Sequence, residues 1–114
     1  MCGIAGIAPF KNSEDKKTIT EIVKNIQHRG PDQEIIFQNN LGIFGFVRLK
    51  IIDMSSKSNQ PFVSKNKKIQ IIYNGEIYNY KKLRKKYFSD IGFNSAGDGE
   101  ILLHLYEKFG IEFI

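Results

Sequence analysis

Tryptophan is missing from this 114-residue chain, cysteine occurs once, histidine twice and arginine three times. Each scarcity excludes something. A single cysteine, Cys2, leaves no internal disulfide framework, and the two distant histidines, His28 and His104, offer no metal-ligand spacing, so no metal site is expected. No apolar run approaches the length of a membrane span. The opening CGIAGIAPF is apolar but has no basic stretch before it, which makes it a poor signal peptide, and a cytoplasmic location is expected. The scarcity of arginine bears on the net charge of +5. Lysine is a hydrated point charge, whereas arginine carries the planar fork suited to phosphates and base edges. The densest basic run, KKLRKK (81–86), therefore reads as a short solvated helix with Leu83 turned inward. Salt-dependent attraction to nucleic acid is the other reading of that run, and a solvated surface is preferred.

What is present is the composition of a globular protein, 41% hydrophobic and 25% charged, in a length suited to one domain with a real core. Residues 3–9 read as a short, buried strand. A helix follows, with Ser13 as N-cap, Glu14 and Asp15 in the first turn, and Ile19, Ile22, Val23 and Ile26 recurring at helical spacing. It should end near Gln27, ahead of HRGPD (28–32). EIIFQ (34–38) and LGIFGFVRL (41–49) are strand-like, and Asn39-Asn40 between them suit a tight turn with positive φ. Residues 53–67 are loop-like, and KIQIIYN (68–74) alternates as a strand. Helices are expected over about 79–87 and 98–109, the second with Ile101, Leu102, Leu105, Tyr106 and Phe109 on one face. IEFI (111–114) looks like the start of another strand. The class is α+β with mostly antiparallel strands and no internal boundary.

The position of the one cysteine is informative. A thiol is a good nucleophile only as thiolate, and a free cysteine with a pKa of about 8.5 needs a base near neutrality. Removal of Met1 would supply one, the α-amine of Cys2 itself, since a free α-amino group titrates at about 7.7–8.0. A water could relay the proton between the two groups. Such N-terminal nucleophiles are a variant of the catalytic-triad arrangement.

Six stretches extend the case: CGIAGI at the start, HRGPD (28–32), RLKIID (48–53), NQP (59–61), YNGEIYNY (73–80) and AGDGE (96–100). In this order they resemble the glutaminase domain of glutamine-hydrolysing asparagine synthetases, a class II glutamine amidotransferase of the N-terminal-nucleophile hydrolase superfamily. The resemblance implies an αββα sandwich, incomplete at the C-terminus, spanning 1–114. It implies that Cys2 attacks the side-chain amide of L-glutamine, releasing ammonia and leaving a γ-glutamyl thioester that water hydrolyses to glutamate. It gives Asn74 and the Gly75 N–H to the oxyanion. Arg48 would take the α-carboxylate of glutamine and Asp98 its α-ammonium, with Glu76 beside them. Leu49, Lys50, Ile51 and Ile52 would supply strand backbone along the site, and HRGPD would shape the loop over the substrate. His28 is a poorer candidate base than the amine.

Read singly, these residues have plainer explanations. Asn74-Gly75 is a common hairpin turn, Asp98 could cap the last helix, and Arg48 could be a surface residue ending a strand. The chain also departs from the family pattern: Phe46 stands where a histidine is usual, and Gly97 and Gly99 flank Asp98 in place of serine or threonine. Weaker glutamine binding is expected from the second change, because glycine leaves the segment less rigid. The resemblance further implies that the chain is shorter than the family's domain. The ammonia-using synthetase module, with its ATP and magnesium, would lie outside it. No cofactor is then expected in this chain, and the expected partners are L-glutamine and a synthetase-domain chain or a second copy, with no membrane and no nucleic acid. The reading from a different class is a truncated, catalytically silent domain that binds glutamine or a partner chain.

Overall fold

The computed structural model describes residues 1–114 and is mixed α and β. The chain divides into two compact units, residues 1–50 and 51–114. In the first, β1 (Gly3–Ile7), β2 (Gln33–Gln38) and β3 (Ile43–Arg48) form an antiparallel sheet in the order β1-β3-β2. Gly3 lies opposite Val47 and Gln33 opposite Arg48. Strand alternation sends Ile43, Gly45 and Val47 to one face and Phe44, Phe46 and Arg48 to the other. Helix α1 (Ser13–Ile26) packs on the first face, where Ile19, Val23, Ile43 and Val47 form a fully buried cluster. Burying each of these aliphatic side chains is worth about 1.5–3 kcal/mol, which is what holds the helix to the sheet.

The start of α1 differs from the sequence expectation by one residue. Asn12, not Ser13, is the N-cap: its Oδ1 accepts from the N–H groups of Glu14 (2.9 Å) and Asp15 (3.4 Å), while Asp15 Oδ2 accepts from Asn12 N–H at 3.3 Å. This reciprocal capping box satisfies donors that the first turn leaves open. Ile22, expected on the inner face, remains 37% exposed at its edge. The β2–β3 connection also differs, because neither Asn39 nor Asn40 has positive φ. Asn39 Oδ1 instead accepts from the N–H groups of Leu41 (2.9 Å) and Gly42 (3.2 Å), so a side chain closes the loop.

The second unit holds a two-residue antiparallel pair, β4 (Phe62–Val63) with β5 (Gln70–Ile71), and two helices, α2 (Tyr80–Tyr87) and α3 (Glu100–Phe109). Its core is Phe88, Ile101 and Leu105, with Ile77, Tyr80, Leu83, Tyr87, Phe93 and Phe113 packed around them. Leu83 is thus the inward contact that the basic run required. Three expectations are corrected. The strand over 68–74 shrinks to two residues. IEFI continues as a 3₁₀ turn over Gly110–Phe113 rather than a strand. On α3 the buried apolar positions are Ile101, Leu103 and Leu105, and Tyr106 and Phe109 each stay 39% exposed.

Candidate active site

The two units carry separate groups of site residues. In the first unit the Cys2 sulfur sits against the main chain just beyond β3. Leu49 N–H donates to Cys2 Sγ at 3.3 Å, and the thiol points back to Leu49 O at 3.8 Å. Since Gly3 lies opposite Val47, extending the register by one residue sets Cys2 level with Arg48. Arg48 ends the strand, as its plainer reading had it, but it is buried rather than on the surface. Leu49 and Lys50 are half-buried and follow β3 as irregular chain, and Ile51 and Ile52 are exposed. The stretch 49–52 is therefore not strand backbone, which corrects that part of the expectation.

HRGPD turns out to bracket this corner. Arg29 Nε donates to Cys2 O at 3.2 Å. Gly30 lies so near β3 that a β-carbon there would stand 2.6 Å from main-chain atoms of Arg48, a distance only glycine tolerates. Asp32 N–H donates to Arg48 O at 3.0 Å, and the Asp32 carboxylate accepts from Lys50 N–H at 2.8 Å. With Pro31 bridged to Arg48 as well, the four consecutive residues 29–32 hold Cys2 from one side and residues 48–50 from the other. The remaining member, His28, is exposed, with Nδ1 3.0 Å from Asn25 O.

In the second unit Asn74, Gly75 and Glu76 form an exposed bend directly after Tyr73. Gln60, from the NQP stretch, pins that residue: its Oε1 accepts from Tyr73 N–H at 2.6 Å and its Nε2 donates to Tyr73 O at 3.1 Å. Asp98 is brought to the same place. Its Oδ2 accepts from Ile77 N–H at 2.8 Å, so the carboxylate faces the 73–77 segment. It does not cap α3, whose N-cap is Gly99 with no side-chain bond. Burial, and then the charges of Asp98 and Glu76, push the Tyr73 phenol above its ordinary pKa. Asn74, Gly75, Glu76 and Asp98 are thereby grouped around Tyr73, as Cys2, Arg48, Leu49 and Lys50 are grouped around the end of β3.

Four residues matter to this framework although sequence reasoning gave them no part in it. Arg29 and Gln60 lay inside recognised stretches without assigned contacts. Asp53 is buried and accepts from Ser58 Oγ (2.7 Å), Ser55 N–H (2.8 Å) and Ala96 N–H (2.8 Å), and these bonds hold its carboxyl well below the usual carboxylate range. Arg84 departs from the solvated reading of KKLRKK, which the four exposed lysines follow. Its guanidinium is folded inward over the Phe93 ring, 3.9 Å from the centroid, and bonds to main-chain carbonyls. A lone arginine in a lysine run was the available signal, since only the arginine fork can serve two acceptors and a ring face together.

A family profile described as a glutamine amidotransferase domain matches residues 1–114. Over its full length the chain is 34% identical to asparagine synthetase [glutamine-hydrolyzing] 1 of Arabidopsis thaliana, covering 20% of that protein. It is 40% identical to asparagine synthetase [glutamine-hydrolyzing] 2 of the same plant, again covering 20%. Against asparagine synthetase [glutamine-hydrolyzing] 2 of Bacillus subtilis the identity is 36%, with 16% of the relative covered. The chain therefore spans a fifth or less of the length of these relatives.

Proposed function

This chain belongs to the glutamine amidotransferase domain family, and from that premise we propose that it is the glutaminase part of an asparagine-synthetase-like enzyme. The reaction is hydrolysis of L-glutamine to L-glutamate and ammonia on an N-terminal-nucleophile αββα framework. The observation that carries the reading is the placement of Cys2: its sulfur faces a main-chain N–H while Arg29 holds its carbonyl.

With Met1 removed, the Cys2 α-amine takes the thiol proton through a water, and the thiolate attacks the glutamine side-chain carbonyl carbon. Negative charge moves to the amide oxygen, where the Asn74 side-chain amide and the Gly75 N–H donate to it. Loss of one such donor costs about 3–4 kcal/mol of transition-state stabilisation. Return of the proton to nitrogen expels ammonia and leaves the γ-glutamyl thioester. Water, deprotonated by the same amine, then adds to the thioester and releases glutamate and the thiol. Arg48 pairs with the substrate α-carboxylate, Asp98 with its α-ammonium, and Glu76 lines the same end. The exposed Asn74–Glu76 bend, with the Asp98 carboxylate bonded to the adjoining Ile77 N–H, suits that task. Ammonia passes to an ATP- and magnesium-dependent synthetase module outside these residues, which forms asparagine.

The test is an intact-mass measurement after exposure to a diazoketone analogue of glutamine. The expected species lacks Met1 and carries one adduct on Cys2, and excess glutamine prevents labelling. Retained methionine, or a free Cys2 that stays unlabelled, contradicts the reading and favours a silent binding domain.

A further inference from the structure

The segment Asn94–Gly97, which leads into Asp98, contains no regular hydrogen-bonded structure of its own. It is held instead by three charged side chains. The Glu100 carboxylate accepts from Asn94 N–H (3.0 Å), Ser95 N–H (2.7 Å) and Ser95 Oγ (2.6 Å), and Asp53 accepts from Ala96 N–H. These carboxylates take the N–H groups. The carbonyls go to Arg84, whose Nη1 donates to Ser95 O at 3.1 Å and whose Nη2 donates to Gly97 O.

Gly97 O belongs to the peptide that joins Gly97 to Asp98. Gly97 is buried, with Ser58 Oγ 2.8 Å from where a β-carbon would stand, and its carbonyl is held by the guanidinium, a bond that orients the plane of this peptide. The guanidinium is packed as well as bonded: its face lies on Phe93, the Tyr80 ring is 5.3 Å from it, and Nε is buried without a hydrogen-bond partner. A buried N–H is tolerated there while both terminal nitrogens bond and both ring contacts persist.

We infer that Arg84 is a positioning residue for Asp98: it orients the peptide that carries the carboxylate and so sets affinity for the α-ammonium group of the substrate. The inference rests on the assignment of Asp98 proposed above. It also explains how a segment flanked by Gly97 and Gly99 can present a fixed charge without the hydroxyls usual there.

The experiment has two readouts on the full chain, with Arg84→Gln and the charge-keeping Arg84→Lys. In the first, protection of Cys2 from iodoacetamide is titrated with L-glutamine and with glutaramic acid, which lacks the α-ammonium. Arg84→Gln should raise the protecting glutamine concentration about tenfold, the size of one lost bond to a charged group, and leave that of glutaramic acid unchanged. Asp98→Asn should show the same selectivity. In the second, deuterium uptake by peptides covering 93–99 should accelerate in both Arg84 variants, because lysine cannot hold two carbonyls in one plane. Equal loss for both ligands, or unchanged uptake, overturns the inference. Wild-type protein protected by neither ligand would overturn the glutaminase reading instead, and uptake would still decide whether Arg84 holds the segment.

Discussion

Leu49 N–H points at the Cys2 sulfur from 3.3 Å, while Arg29 holds the carbonyl of the same cysteine at 3.2 Å. The one thiol of the chain is therefore fixed through its side chain by β3's continuation and through its backbone by HRGPD. A cysteine serving only as filler would need neither. Cys2→Ala should abolish glutamine hydrolysis and analogue labelling while lowering stability by about 1 kcal/mol or less, the scale of one partly exposed hydrogen bond. Activity assays beside a urea melt would check both halves, and a collapse in stability would mark Cys2 as structural.

Arg29 should matter to the reaction more than to the fold. Replacing it with methionine keeps the bulk and removes the bond to Cys2 O, so capture of the diazoketone analogue should slow by about tenfold or more. The labelling rate measures this directly. An unchanged rate would mean that β1 alone positions the cysteine.

Gly30→Ala should be among the most damaging small substitutions in the first unit. The new methyl would stand 2.6 Å from the Arg48 backbone, so strand or loop must move. Overpacking of this kind costs about 1–3 kcal/mol. A lowered denaturation midpoint with slower Cys2 labelling is the expected result.

Gln60 replaces a missing strand partner for Tyr73. Gln60→Ala leaves the Tyr73 N–H and carbonyl without these bonds at a half-buried place, a loss of about 0.5–1.5 kcal/mol per bond. The neighbouring Asn74-Gly75 bend then loses its anchor. Thermal melts should report the loss of stability, and kcat should fall with it if the bend serves the oxyanion.

Asp53 provides a pH signature. Its folded carboxyl titrates below the unfolded value of about 3.9, chiefly through the Ser58 hydroxyl with help from Ser55 and Ala96. A depressed carboxyl stabilises the fold above the unfolded pKa, and that contribution disappears as pH falls through the folded one. Wild type should therefore exceed Asp53→Asn in stability at pH 7, with the gap closing below about pH 4. Denaturant midpoints across that range would show it, and a pH-independent gap would contradict it.

Local chemistry made much of this legible. The 3.6-residue spacing of Ile19, Val23 and Ile26 defines α1, and alternation with turn residues defines the β2–β3 hairpin. Errors fell where a local rule had two candidates. Asn12 and Ser13 can both cap, and the capping box with Asp15 decides for Asn12. Asn39 can turn by positive φ or by its side chain, and here the side chain bonds. IEFI alternates like a strand, but in this structure it forms a 3₁₀ turn with Phe113 against the α3 core.

By itself the sequence determined the family, the placement of the single thiol, and the order of six stretches whose residue types suit glutamine chemistry. Only the tertiary structure decided what those stretches do for one another. HRGPD is a bracket because Gly30 lets its backbone reach Arg48. Gln60 matters because Tyr73 lacks a strand partner, and Arg84 turns inward because two carbonyls and a ring lie within its span. Such contacts join residues far apart in the chain. Periodicity and propensity act over a few residues, whereas hydrogen-bond satisfaction in a buried place depends on whatever the fold brings near.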